Sequence, residues 1–516
     1  MSPNNVSNDT GGNGAGIVAG TMAARVGNYR WVICALLFFS TTINYIDRNS
    51  LSVLKTTLQG ALGWTDVDYG WITTAFTFAY AMFPSLIGFF VDKFGVKKAL
   101  AGALILWSLA AAAHGLVATV VGFMIVRFVL GLAEAANFPA SIKAVAMWFP
   151  QKERALATGI FNSGTSVGVI VSGGVVAIAT AWGWQSAFVF IGVLGLIWLV
   201  FWQKYFDTPE NHPRLSPAEL GFIKAGLPPP TQSVKVPWHM LLRYREIWPF
   251  LIGKFITDPV WWFYLFWLPS YLERERGQNP LNAGLWVAVI YTGSSVGSIL
   301  GGWLSGHLMK RGWTVGKARM TTMMLAAIFM PGSILAYYAE SFTTCVVFIT
   351  IATACHQAWS ANLFTNASDM FPQKVSGSVV GLGATAGGIG GMFMTLLVGL
   401  AVQWTGTQQI AFVLAGVMHV LALALFWFWF KAKFVQVNVD AGLDTRAMHK
   451  GLVIGGVAIL AVGVWLLSFV SQRWDYIVGI VKFSGALQAA IAAGGFGVIG
   501  LALGYAGLPK RTQLTG

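Results

Sequence analysis

Apolar runs long enough to cross a bilayer follow one another along the chain, separated by short polar stretches. About 20 apolar residues, rising roughly 1.5 Å each in an α-helix, span the hydrocarbon. Such runs lie near 31–54, 68–91, 99–119, 121–148, 155–181 and 185–203, and again near 248–272, 283–308, 318–339, 342–370, 376–403 and 408–430. Two more, about 451–470 and 486–507, follow a basic segment at 446–450. The pattern predicts an all-α integral membrane protein of about fourteen spans. Its expected parts are a tail over 1–29, a six-helix bundle over 30–203 and a cytoplasmic loop over 204–247. A second six-helix bundle over 248–432 and an accessory hairpin with its tail over 433–516 complete it. Residues 1–29 are rich in Asn, Gly and Ser and hold no compact apolar stretch before a cleavage site. They read as a disordered cytoplasmic tail rather than a signal peptide.

Composition agrees, with 56% of the 516 residues hydrophobic and 10% charged, where soluble proteins carry about 25%. A formal charge of +14 would suggest nucleic acid for a soluble chain. Here Lys93, Lys97, Lys98, Lys152, Arg154, Lys310, Arg311 and Lys374 fall in alternate loops. The positive-inside rule therefore places those loops, and both termini, in the cytoplasm. Cys34, Cys345 and Cys355 lie in apolar runs with neither a disulfide framework nor metal-ligand spacing. Neither H-E-x-x-H nor a Walker loop occurs. Gly164-Thr-Ser166-Val-Gly168 and Gly293-Ser-Ser295-Val-Gly297 fit the hydrolase elbow, but they sit inside apolar helices, where small residues serve close packing. The chain is expected to be no enzyme and to need no cofactor, metal or nucleic acid.

An internal repeat divides the chain. Phe149-Pro150-Gln151-Lys152 recurs 222 residues on as Phe371-Pro372-Gln373-Lys374, with Gly159 and Gly168 matched by Gly381 and Gly390. Two parallel halves with a site at the midplane between them are an arrangement of secondary transporters.

Charges inside the spans mark candidate chemistry, because an ionised group there must be paired, wetted or used. Asp47 and Arg48 end the first run, and Arg127 and Glu134, seven apart, share a face of the fourth. Either such groups lie at helix mouths and pair structurally, or they form an anion site with its own proton carrier. Lys254 and Asp258, four apart, pair with each other or leave Lys254 as a third positive centre. Trp261, Trp262, Tyr264 and Trp267 suit either a sugar face or helix packing. His356, Gln357, Asn362 and Thr365 suit either interhelical bonding or a cavity wall, and His356 stands 222 residues after Glu134.

Gly88-Phe-Phe-Val-Asp92-Lys93-Phe-Gly95-Val-Lys97-Lys98 resembles the signature loop of the major facilitator superfamily. This implies a 6+6 bundle core of twelve spans, with Gly88, Asp92, Gly95 and Lys97 in a gate. Asp92 would bind a neighbouring helix N-terminus and the loop lysines. In the second half Gly306 stands where the acid belongs, so a weaker second latch is expected. Asn44-Tyr45-Ile46-Asp47-Arg48-Asn49 and Arg127…Glu134-Ala135…Pro139 resemble the anion:cation symporter family. Thr257-Asp258-Pro259-Val260-Trp261-Trp262 and His356-Gln357-Ala-Trp359-Ser360-Ala-Asn362 resemble bacterial hexuronate (glucuronate/galacturonate) transporters within it. The likeness covers about 28–432. It implies that Arg48 and Arg127 hold a carboxylate while Asp47 and Glu134 carry protons. Tyr45, Tyr80, Asn162, Thr165, Tyr264, His356, Gln357, Trp359 and Asn362 would complete the substrate site. The expectation is a monomer in the lipid of the inner membrane that imports a hexuronate with protons by alternating access. An aldonate or aldarate such as galactonate or glucarate is the alternative cargo, since a carboxylate clamp does not report the ring. A non-transporting sugar-acid sensor is the alternative class.

Overall fold

The computed structural model describes residues 27–226, 238–244 and 246–429, which form helices joined by short turns and, among the described residues, no strand. The 433–516 hairpin and most of the 1–29 tail lie outside the described residues. The first half holds α1 (Tyr29–Val53), α2 (Lys55–Leu62), α3 (Asp66–Met82), α4 (Pro84–Phe94), α5 (Val96–Ala113), α6 (Val120–Glu134), α7 (Asn137–Trp148), α8 (Gln151–Ser172), α9 (Gly174–Trp182) and α10 (Trp184–Tyr205). After α11 (Pro217–Ala225) and the short α12 (Trp238–Leu241) come α13 (Ile247–Arg274), α14 (Pro280–Lys310), α15 (Val315–Phe329), α16 (Gly332–Tyr338), α17 (Phe342–Met370), α18 (Gln373–Thr405) and α19 (Gln409–Ala424).

Several shorter helices run on as broken rods. Among the described residues nine rods are long and apolar enough to cross a membrane, or ten with the α3–α4 pair, which bends by 51°. The bend falls at Pro84, whose ring cannot follow a helical residue without displacing the preceding carbonyl. Helices α1 (25 residues) and α13 (28 residues) are also long enough to span. They carry Asp47, Arg48, Lys254 and Asp258 among further polar and aromatic residues, so lower apolarity rather than length sets them apart.

The repeat has a structural counterpart. Pro150 and Pro372 each stand at the N-cap in extended backbone, and α8 and α18 begin at the next residue, Gln151 and Gln373. Proline suits the mouth of a helix because the first turn has no partner for its N–H groups. The two helices form the seam between the halves, α8 packing on α14 and α18 on α4. Glycines let them approach. A Cβ on Gly88 would strike the Gly377 carbonyl, one on Gly381 the Pro84 carbonyl, and one on Gly159 the Ser298 carbonyl. Both G-x-S-x-G matches lie within helices, with Gly164 against Phe38 of α1 and Gly297 against Ala354 of α17. They serve packing.

Gly95 links α4 to α5 at φ 80°, a left-handed turn that glycine adopts without strain. The polar stretch after α10 folds back on the first bundle. Glu219 of α11 accepts from the N–H groups of Tyr29 and Arg30 at 3.0 and 3.1 Å, capping α1 from a distance.

Candidate functional site

Between the two halves lies a cavity walled by α1, α3, α8, α13, α17 and α18. On the α1 side stands Arg48, 7% exposed. Its guanidinium lies 4.4 Å from the Tyr45 ring centroid and 4.1 Å from that of Tyr80, close enough for both ring faces to attract the cation. Arg48 Nη2 donates to Asn44 Oδ1 at 3.1 Å and to Glu134 Oε2 at 3.2 Å. Tyr45, Arg48 and Tyr80 line the cavity, while Glu134 is wholly buried behind Arg48. One edge of the guanidinium is thus fixed by an acid from a second helix, and the side chain still reaches the wall.

Arg127 and Asp47 do not line the cavity. Arg127 Nη1 donates to the Arg48 carbonyl at 3.3 Å, so it steadies the helix that carries Arg48. Its Nε and Nη2, and both carboxyl oxygens of Asp47, are buried with no hydrogen-bond partner among the described residues. The expectation that both arginines face one chamber becomes an arrangement in depth, with Arg48 at the wall and Arg127 behind it. The seven-residue spacing puts Arg127 and Glu134 on one face of α6, but the ion pair forms across helices, Arg48 to Glu134.

Opposite, Asn162 and Thr165 of α8 meet Gln357 of α17. Asn162 Nδ2 donates to Gln357 Oε1 at 2.6 Å and to Ser298 Oγ at 3.1 Å, and Gln357 Nε2 donates to Thr165 Oγ1 at 3.3 Å. These amides and hydroxyls bridge the halves at the cavity. His356 also lines it, stacked on Trp261 at 5.7 Å, with its Nδ1 3.1 Å from His419 Nε2. Trp261 and Trp262 form part of the wall, as do Lys254 and Asp258, which pair at 2.6 Å.

Tyr264, Trp359 and Asn362, expected at the site, are not on the wall. The Tyr264 hydroxyl donates to Ser333 Oγ at 2.7 Å inside the second half. Trp359 is wholly buried between His419 and Phe426. Asn362 Nδ2 donates to the Gly301 carbonyl at 3.0 Å and ties α17 to α14. Trp267 likewise lies off the wall, packed against the core of the second half. Residues 359 and 362 are held by neighbouring helices because the two-turn stretch from 356 carries side chains around the whole of α17, while Tyr264 lies on the core side of α13.

At the end of the molecule with the basic loops the halves are locked. Asp92 Oδ2 accepts from the Ser378 N–H at 2.7 Å and its hydroxyl at 2.6 Å, and Oδ1 from the Gly377 N–H at 3.1 Å. Gly377 and Ser378 are the fifth and sixth residues of α18, so Asp92 binds its second turn rather than the unpaired N–H groups at its very start. The cation beside Asp92 is Lys143 of α7, at 2.7 Å, rather than a loop lysine. Lys97 instead pairs with Asp207 at 2.9 Å. Partial burial raises the Asp207 carboxyl, but bonds from Lys97 and the Thr208 N–H outweigh it and hold the group below its ordinary range. Gly306 stands where the second acid was expected and packs on the Lys152 carbonyl. The second lock is built from other residues. Asp369 accepts from Arg154 of the first half at 3.0 Å and from Arg319 at 3.0 Å, and Arg319 Nη2 reaches back to the Gln151 carbonyl at 3.1 Å. Sequence reasoning missed Lys143, Arg154, Arg319 and Asp369. Lys143 sits within an apolar run, and Arg154 and Asp369 flank the repeated Phe-Pro-Gln-Lys, so a signal was present.

Comparison with known proteins fits this geometry. The family model described as Major Facilitator Superfamily matches residues 37–395. The probable galactarate/D-glucarate transporter of Escherichia coli is 30% identical over 420 residues, covering 77% of this chain and 94% of that protein. The hexuronate transporter of E. coli is 28% identical over 435 residues, covering 82% and 100%. The D-galactonate transporter of E. coli is 28% identical over 396 residues, covering 74% and 92%. Among solved structures, the proton:xylose symporter superposes with a TM-score of 0.62 at 14% identity, covering 78% of this chain and 96% of that one. The E. coli fucose:proton symporter gives 0.56 at 16%, covering 80% and 100%. At such identities these two bear on the fold.

Proposed function

The chain belongs to the major facilitator superfamily, and on that footing we propose that it is a secondary active transporter that imports a sugar acid together with protons. The relatives named for hexuronate, galactarate/glucarate and galactonate support the substrate class. The observation that carries the reading is Arg48: a buried guanidinium on the cavity wall, stacked between two tyrosines and tied to an acid that can release it.

The chemistry runs as follows. Glu134 holds one edge of Arg48, which keeps the empty site near neutral. A proton on Glu134 ends its claim, and the freed guanidinium presents two parallel N–H groups to a carboxylate. Sugar hydroxyls then exchange with Asn162, Thr165 and Gln357. Asp47, which has no other partner among the described residues, is the second group placed to carry a proton. Rocking of the halves breaks the Asp92 and Asp369 locks and exposes the cavity to the basic-loop side. By the charge of those loops that side is the cytoplasm, the termini lie there, and the protein resides in the inner membrane.

The test is uptake into proteoliposomes. Labelled hexuronate, galactarate and galactonate are offered with and without an inward proton gradient. The gradient should drive accumulation of at least one of them, and Arg48→Ala should abolish it. Glu134→Gln should keep exchange of internal for external substrate while losing gradient-driven accumulation. Full uptake by Arg48→Ala, or a sodium gradient serving in place of protons, would overturn the reading.

A further inference from the structure

We propose that Lys254 is a second carboxylate-binding group and that the cavity is built for sugar acids with a carboxylate at each end. The proposal rests on the sugar-acid reading above and narrows it. Lys254 is 3% exposed and lines the same cavity as Arg48, from the opposite half of the molecule. Its ammonium pairs at 2.6 Å with Asp258, one turn along the same helix, and lies 3.7 Å from the Phe364 ring centroid.

A structural role explains this pair poorly. Burying two charges costs several kcal/mol of solvation, normally offset where the pair ties elements together. This pair sits within α13, and neither side chain hydrogen-bonds to another helix among the described residues. Asp258 instead rests against Gly387, where a Cβ would strike its carboxyl, and its side chain keeps 18% of its surface open. Both groups are wall, not seam.

The wall therefore presents two cations, Arg48 backed by the buried Glu134 on one half and Lys254 beside Asp258 on the other. The Tyr45 and Tyr80 rings and Trp261 and Trp262 line the same cavity, with the Tyr80 and Trp262 rings 6.1 Å apart. A one-carboxylate sugar acid engages Arg48 and leaves Lys254 with Asp258. An aldarate engages both cations, with its hydroxyls on Asn162, Thr165 and Gln357 between them. It thereby links the halves that must move together. The hexuronate expected from the sequence is on this account the weaker substrate.

The experiment compares labelled galactarate, with two carboxylates, and galactonate, with one, in proteoliposomes of the full chain. The unaltered protein should favour galactarate. Lys254→Met should cut galactarate uptake about 10- to 100-fold, the worth of a buried charge-assisted bond, with a much smaller fall for galactonate. Lys254→Arg should restore most of the preference. Lys254→Met with Asp258→Asn removes the couple together and guards against misfolding from an orphaned acid, and it should show the same selective loss. Equal loss of both substrates in that double variant, or a galactonate preference in the unaltered protein, overturns the second site while leaving the transporter reading intact. Uptake of neither sugar acid by the unaltered protein overturns both.

Discussion

At Arg48 the geometry asks for a guanidinium in particular. A flat cation lies against two tyrosine rings at 4.4 and 4.1 Å while its edge is shared between Asn44 and Glu134. Lysine keeps the charge but has neither the plane nor the fork. Arg48→Lys should therefore raise the KM for the transported sugar acid by about tenfold or more, with a smaller effect on kcat, as initial-rate uptake would read. Residue chemistry was largely legible here: charges within apolar runs single out Asp47, Arg48, Arg127, Glu134, Lys254 and Asp258 in the sequence. What spacing could not say was depth. Arg127 and Glu134 share a helical face, yet Glu134 reaches another helix and Arg127 turns to the Arg48 carbonyl, because pairing inside a bundle is decided by neighbours far off in sequence.

Among the elements, the seam helices show how little space the closed end leaves. At Gly88 a side chain would meet the carbonyl of Gly377, backbone that cannot yield as a flexible side chain could. Gly88→Val should keep the halves from closing there. In a cysteine-free background, Ser85→Cys with Thr385→Cys checks this, since the native hydroxyls sit 2.8 Å apart across the seam. The pair should cross-link readily with Gly88 present and several-fold more slowly with valine. Helix existence was readable from the hydrophobic runs, and the Phe-Pro-Gln-Lys repeat, read as a division into halves, coincides with two helix starts at Gln151 and Gln373. The bend at Pro84 and the helix inside the polar stretch were not foreseen. A run of apolar residues does not record direction, and Glu219 finds its partners 190 and 189 residues back, at the start of α1.

For the whole molecule, two charge clusters hold one end shut: Asp92 with Lys143 and the start of α18, and Asp369 between Arg154 and Arg319. Removing one partner of a buried pair leaves an uncompensated charge and costs about 3–5 kcal/mol. Asp369→Asn strands two guanidiniums and should tip the population toward the form open at the basic loops. Spin labels at positions 93 and 374, both exposed and on opposite halves, would report this as a longer distance distribution. An unchanged distribution would assign closure to Asp92 and the glycine seam. The likeness to the signature loop implied a weak second lock because Gly306 stands where its acid belongs. Nature of the lock and symmetry of the halves are separate matters, and here the second half supplies its acid from the end of α17 instead.

The amide stitch from Asn162 to Gln357 and Ser298 sets a condition on what can be carried. When the halves swing apart those polar hydrogens lose their mates in a confined chamber, and an oily guest offers nothing in exchange. Acetate-like or aromatic acids, equal to a sugar acid in charge, would satisfy the guanidinium and then stall the swing. A polyhydroxylated guest hands back each bond as it is given up, so hydroxyl count as much as anionic charge decides which molecules complete the crossing.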